Sequence, residues 1–145
     1  MSKKIAVIND ISGLGRCSLT AAIPVIAAMG VQPCPVPTAL LSAQTGFENY
    51  YCETLAHIPA AFADQWEQMD ARFDGIFTGF CTEPEQVDAM AAFVDRFKHD
   101  DTQVLVDPIL GDVGIEPRAE AVDVERIALQ PVYRGEMPRV GELCG

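Results

Sequence analysis

The stretch KKIAVINDISGLG, residues 3–15, decides how this chain folds. Its apolar residues follow one another without polar alternation, which is typical of a strand buried on both faces of a parallel sheet, and we predict that strand over Lys3–Ile8. Asp10–Gly15 is polar and rich in glycine, and we predict a turn there. Beyond it, apolar residues recur at helical spacing until Gly30, where we expect the helix to end. Strand, turn and helix together form half of a βαβ unit.

The same alternation of strands and helices continues to about residue 106. Apolar runs predict three further strands, at Val31–Thr38, Gly75–Gly79 and Gln103–Val106. Helical periodicity predicts a helix over Pro59–Met69 and another that ends at Phe97. The latter starts with a capping box at Thr82–Glu85. Leu41–Tyr51 is predicted to be a loop. Three prolines in the second strand each remove a ladder donor, so we expect an edge position or an irregular course for Val31–Thr38. The pattern predicts an α/β fold with a mainly parallel sheet, flanking helices and ligands beyond the carboxyl ends of the strands.

The composition is that of an ordinary globular domain, with 49% apolar and 21% charged residues in 145. The formal net charge of −11 argues against a nonspecific grip on nucleic acid or on an anionic membrane. The longest apolar run, Ala21–Val31, is too short to span a bilayer, and Ile5–Ile8 is too short for the core of a secretory signal. We therefore expect a cytoplasmic protein. Its five widely spaced cysteines predict reduced thiols rather than zinc ligands or a disulfide framework.

The character of the sequence changes after Gly114. Four of the seven arginines lie in the last 31 residues, and clear periodicity stops there. We predict two regions, a structured part over residues 1–114 and a divergent tail over residues 115–145. A frameshift or an early stop is our hypothesis for the origin of that tail.

Two glycines in Ser12–Gly15 lie where parallel sheets place phosphate-binding loops. A dinucleotide fingerprint is incomplete, because Ser18 occupies its third glycine position and no carboxylate occurs between Cys17 and Phe47. A nicotinamide-binding module is therefore disfavoured. From the residues alone, a phosphate loop and a tight turn without a ligand remain open for this motif.

Polar side chains elsewhere offer further candidates. Asp107 and Asp112 flank a short loop after a strand, and paired carboxylates of this kind can orient magnesium near phosphoryl groups. The alternative is that Asp107 caps a turn and that Asp112 is simply solvated. Ser42, Gln44 and Thr45 offer hydroxyl and amide groups, which ordinary loop polarity explains equally well.

Taken together, five segments resemble the pyridoxal (pyridoxamine) kinase branch of the ribokinase superfamily. They occur in the family's order and comprise residues 8–18, 37–42, 44–47, 78–80 and 106–112. The resemblance covers Lys4 to Asp112, the amino-terminal half of a kinase about twice this length. It implies a ribokinase-like α/β fold that is truncated in this chain.

The resemblance also implies a site. Ser12 and Thr45 would hydrogen-bond substituents of the vitamin B6 ring, and Phe80 would lie beside the ring where many relatives carry tyrosine. Gln44 occupies a place where the family often has histidine, so a hydroxymethylpyrimidine kinase of thiamin synthesis remains an alternative. Asp107 and Asp112 would stand near the ATP phosphates and Mg²⁺, with an indirect role in metal binding.

The implied activity is ATP-dependent phosphorylation of the hydroxymethyl group of pyridoxal, pyridoxine or pyridoxamine. The family's general base and its adenine-binding region correspond to positions downstream of this chain, so no catalytic residue is expected within it and we expect a very poor kinase. The competing expectation is a non-catalytic B6-binding or decayed fragment. The partners implied are a small-molecule B6 vitamer and a second copy of the chain, since family members commonly dimerise.

Overall fold

In the part of the chain that the structure describes, four parallel strands and one short antiparallel strand form a sheet in the order β3-β2-β1-β4-β5. The structure, a computed structural model, describes residues 2–107. Its elements are β1 (Lys4–Leu14), α1 (Ser18–Ala28), β2 (Gln32–Ala43), β3 (Cys52–Thr54), α2 (Ile58–Gln68), β4 (Gly75–Thr78), α3 (Pro84–Phe97) and β5 (Gln103–Val106). The predicted α/β fold with a mainly parallel sheet is confirmed. The predicted boundary near residue 114 and the tail lie outside the described residues.

The first strand is longer than predicted, and the prediction of a turn over Asp10–Gly15 is wrong for most of its length. β1 continues to Leu14 because its neighbour β2 also continues, and the two remain paired in parallel after a register shift between Asn9 and Ile11. Gly13 allows this close approach, since a Cβ atom there would lie 2.8 Å from the carbonyl oxygen of Ser42. The true turn begins at Gly15, whose φ of +100° favours glycine.

The prolines of β2 alternate with residues that hydrogen-bond to β1. Gln32 donates its N–H to the carbonyl of Lys3 at 2.8 Å. Because successive backbone nitrogens of a strand point to opposite sides, the nitrogens of the prolines at positions 33, 35 and 37 point away from β1, and the β1–β2 pairing loses no donor. β3 pairs with β2 only at Ala39–Leu41, beyond that run of prolines. Within the described residues the proline-bearing part is therefore paired on one side only, as an edge is. Leu41–Ala43, predicted as loop, continues β2.

Helices α2 and α3 pack on one face of the sheet through aromatic side chains. Phe62 and Trp66, predicted to share a helix face, have ring centroids 5.5 Å apart, and Trp66 also contacts Phe73 and Phe93. α1 contacts β1 and β2 but gives no residue to this cluster, so it covers the other face. The start of α3 differs from the prediction, because Glu83 rather than Thr82 is the N-cap residue, and Gln86 accepts its N–H at 3.3 Å.

The strand order reverses at β1. From β1 the chain passes through α1 to β2 on one side, whereas β4 pairs with β1 on the other. In open α/β sheets such a reversal leaves a crevice at the carboxyl ends of the two strands, where ligands bind. The sheet therefore places its natural binding crevice at the ends of β1 and β4. Within residues 2–107, no helix is both long enough and apolar enough to cross a membrane.

Candidate functional site

A cavity of about 150 Å³ lies at the carboxyl end of β1, at this reversal of strand order. It is lined by segments that are far apart in the chain, namely Asp10, Ser12, Cys17, Ser18, Leu41, Gln44, Thr45 and Phe80. All four residues that the sequence singled out for substrate binding, Ser12, Gln44, Thr45 and Phe80, are in this set. Their role in binding stays a prediction, but the geometry brings them together.

The β1 wall of the cavity carries a buried polar pair, of which the sequence analysis singled out Ser12 but not Asp10. Asp10 is 3% exposed and Ser12 is 1% exposed, and the Ser12 hydroxyl donates to Oδ2 of Asp10 at 2.9 Å. Asp10 forms no salt bridge with any described residue. A buried carboxylate without a cation is costly, so this wall favours a ligand that brings hydrogen-bond donors or positive charge. Asp10 was overlooked because its segment was predicted to be a turn.

The start of α1 forms another side of the cavity. Cys17 precedes the helix in an extended conformation, and Ser18 has a φ of +50°, in the left-handed region that side chains rarely adopt. Gly15 lies close by, and a Cβ atom there would approach Cγ of Gln44 to 2.6 Å. Packing against Gln44 and the backbone conformation therefore account for Gly15 without a phosphate ligand. The tight turn starts only at Gly15, because Ser12–Leu14 belong to β1.

The loop after β2 supplies Gln44 and Thr45. The backbone N–H of Gln44 donates to the carbonyl of Leu14 at 2.9 Å, and the N–H of Phe47 closes a turn on the carbonyl of Gln44 at 3.1 Å. Both polar side chains are half-buried beside the end of β1. Ser42 and Phe47 do not line the cavity: Ser42 Oγ instead accepts the N–H of Tyr51, and Phe47 is exposed.

The remaining wall is Phe80, which follows β4. Its backbone N–H donates to Oδ1 of Asn9 at 2.9 Å, and its carbonyl accepts the hydroxyl of Thr38 at 2.7 Å. Both of these side chains are buried. The position of Phe80 is therefore set by two strands of the sheet.

The two aspartates predicted near ATP and Mg²⁺ are only partly described. Asp107 is exposed at the carboxyl end of β5 and outside the cavity lining, and its N–H donates to the carbonyl of Thr78 at 2.9 Å. Asp112 lies outside the described residues. No group of three or more His, Cys, Asp or Glu side chains in residues 2–107 could hold a metal ion. Asp107 has the oxygen ligands that Mg²⁺ prefers, but the described residues do not complete a metal site.

Two cysteines outside the cavity lining, Cys52 and Cys81, have weakly reactive thiols. Cys17, Cys34, Cys52 and Cys81 are free. Burial raises the pKa of the Cys81 thiol, and burial together with the negative charge of Asp10 raises the pKa of Cys52. Both thiols therefore stay protonated at neutral pH, which does not suit a nucleophile.

Comparison with known proteins relates the fold of this chain to a group of small-molecule kinases. No family model matches the chain. Among solved structures, the chain matches a candidate phosphomethylpyrimidine kinase from Bacteroides thetaiotaomicron that was crystallised with pyridoxal. The two sequences are 36% identical and the TM-score is 0.77. The match covers 88% of this chain and 45% of the Bacteroides chain. The chain also matches the pyridoxal kinase from Lactobacillus plantarum, with 25% identity, a TM-score of 0.69, and 78% and 40% of the two chains covered.

The chain thus has a ribokinase-like α/β fold, as the resemblance implied. Its structural neighbours are pyridoxal kinases and phosphomethylpyrimidine kinases of the ribokinase superfamily, so the predicted resemblance is confirmed. A pyridoxal kinase from Leishmania donovani, solved with ADP and pyridoxamine, shares the fold at 19% identity and a TM-score of 0.73, with 86% of this chain and 45% of that chain covered. The chain spans less than half the length of these proteins.

Proposed function

We propose that the cavity binds the substituted pyridine ring of a B6 vitamer, and that the chain is the substrate-binding part of a kinase that phosphorylates the vitamer's hydroxymethyl group. The observation that carries the proposal is the convergence of Ser12, Gln44, Thr45 and Phe80 on one cavity at the strand-order reversal. The likeness to a kinase solved with pyridoxal supports it.

The lining suits a small ring that carries polar substituents. The hydroxyls of Ser12 and Thr45 and the amide of Gln44 can hydrogen-bond such substituents, while Phe80 and Leu41 offer apolar contact to the ring and exclude water. Asp10 accepts a hydrogen bond and thereby orients the Ser12 hydroxyl. Pyridoxal, with a phenolic hydroxyl and a ring nitrogen that can carry a proton, supplies the donors that this wall lacks.

ATP with Mg²⁺ would supply the phosphoryl group and the charge that stabilises its transfer. Asp107 and Asp112 are the residues that we propose near the phosphates and the metal ion, and Asp107 lies one strand beyond β4 in the sheet. No general base is proposed among the residues of this chain. The function proposed for the chain itself is therefore binding and orientation of the acceptor substrate.

A second candidate is binding of hydroxymethylpyrimidine. It is favoured by the candidate assignment, as a phosphomethylpyrimidine kinase, of the same Bacteroides thetaiotaomicron protein, whose other crystal form matches 79% of this chain at 38% identity. The two ligands share a hydroxymethyl group on a small aromatic ring, and they differ because the pyrimidine carries an amino group and a second ring nitrogen. The residue that we expect to discriminate between them is Gln44, because its amide can both donate and accept.

Isothermal titration calorimetry of the full chain with pyridoxal and, separately, with 4-amino-5-hydroxymethyl-2-methylpyrimidine tests the proposal. We expect saturable pyridoxal binding at a single site and weaker pyrimidine binding. Ser12→Ala should weaken pyridoxal binding about fivefold to tenfold through loss of one hydrogen bond. The matched control is Ser2→Ala, which removes an exposed hydroxyl far from the cavity lining and should leave the affinity unchanged. Tighter pyrimidine binding would favour the second candidate, and binding of neither ligand would overturn both.

A further inference from the structure

A single side-chain oxygen joins two walls of the cavity. Oδ1 of Asn9 accepts the backbone N–H of Asp10 at 3.0 Å and the backbone N–H of Phe80 at 2.9 Å. Asn9 and Phe80 are 71 residues apart in the chain, and Asn9 is 5% exposed. Asn9 itself does not line the cavity, whereas both of the residues that it holds do.

Both amides lie where the sheet ladder is interrupted. The register of β1 against β2 shifts between Asn9 and Ile11, at Asp10. On the other side β4 ends at Thr78, and the N–H of Gly79 still donates to the carbonyl of Ile8 at 2.9 Å. The next N–H, that of Phe80, passes to the Asn9 side chain instead. The carboxamide therefore extends the β1–β4 pairing by one hydrogen bond beyond the strand end.

The surroundings leave room for this arrangement and reinforce it. A Cβ atom at position 79 would lie 2.3 Å from Nδ2 of Asn9, so only glycine leaves space for the carboxamide. On the β2 side, the hydroxyl of Thr38 donates a hydrogen bond to the carbonyl of Phe80. The backbone carbonyl of Thr38 accepts a hydrogen bond from Nε2 of the fully buried Gln86 at 2.6 Å. Phe80 is thus fixed through both its N–H and its carbonyl.

We infer that Asn9 is a positioning residue, which fixes the backbone of Phe80 against the Asp10 wall and so sets the width of the cavity. The inference about backbone positioning stands on the contacts alone. Its consequence for ligand affinity rests on the proposed function.

Amide hydrogen exchange measured by NMR on the full chain without ligand tests the positioning. In Asn9→Ala the amides of Asp10 and Phe80 should exchange about fivefold to tenfold faster, while amides of the α2–α3 core keep their rates. Asn49→Ala, an exposed asparagine in the loop before β3, is the matched control and should change neither amide. If Asn9→Ala does not fold, Asn9→Ser, which stays polar but is too short to reach both amides, serves in its place.

Unchanged exchange at Asp10 and Phe80 would overturn the inference, and so would acceleration of all amides alike, since that would indicate a general loss of stability.

A double-mutant cycle tests the link to binding. Asn9→Ala should weaken pyridoxal binding about fivefold in the wild-type background but much less in Phe80→Ala, because the effect passes through Phe80. Equal weakening in both backgrounds would contradict this route. If the wild-type chain binds no pyridoxal, the proposed function fails, while the exchange rates still decide the role of Asn9.

Discussion

At the scale of single residues, Gly79 connects the fold to the candidate site. Replacing it with alanine puts a Cβ atom 2.3 Å from the buried Asn9 amide, so either β4 or Asn9 must move. We predict that Gly79→Ala lowers the free energy of unfolding by about 1–3 kcal/mol and weakens pyridoxal binding. Urea denaturation and calorimetric titration measure the two effects.

Gly30→Ala gives the comparison for that prediction. Gly30 has a φ of +78°, but a Cβ atom there meets nothing within 4 Å. The substitution should cost about 1–2 kcal/mol of stability from backbone strain and leave pyridoxal affinity unchanged. An equal loss of affinity in both variants would show that Gly79 affects binding only through general stability.

The residue scale also shows what the sequence could and could not predict about the site. The resemblance to the pyridoxal kinase branch implies Ser12, Gln44, Thr45 and Phe80 as binding residues, and the structure gathers them in one cavity. Asp10 and its neighbour Asn9 were missed, because polar residues beside glycines are typical of an exposed turn. Both are buried in β1, where the register against β2 shifts between Asn9 and Ile11, and no local pattern in the sequence indicates that long-range pairing.

At the scale of elements, α3 holds the core on the face of the sheet covered by α2 and α3. Phe93 is 1% exposed and contacts Trp66, Phe73 and Phe97. We predict that Phe93→Ala lowers the free energy of unfolding by about 3–5 kcal/mol, since it leaves a cavity among aromatic rings. Asp95→Ala, at an exposed position of the same helix, should change it by less than about 0.5 kcal/mol. Chemical denaturation followed by tryptophan fluorescence compares the two, and similar losses would contradict this account of the core.

Elements with strong periodicity were predicted well, and elements set by long-range pairing were not. α2, α3 and β5 lie close to where apolar spacing and capping residues put them. β3 is only three residues long and exists because it pairs with β2, so its own sequence carries no signal. The extra lengths of β1 and β2 have the same origin, since each continues because the other does.

At the scale of the whole molecule, the reversal of strand order at β1 explains why residues from separate segments meet. β1 carries Asp10 and Ser12 to the same sheet edge where β4 delivers Phe80, and the loop after β2 closes the cavity with Gln44 and Thr45. The α/β alternation in the sequence predicted this edge as the binding side. It could not predict which strand is central, because that depends on which strands pair.

The central claim is that this cavity binds a B6 vitamer, and the most direct measurement is NMR mapping of pyridoxal binding to the isotopically labelled chain. We predict saturable shift changes at the amides of Ser12, Thr45 and Phe80, with no change on the outer face of α3. Saturable changes confined to other surfaces, or no saturable change at all, would contradict the account.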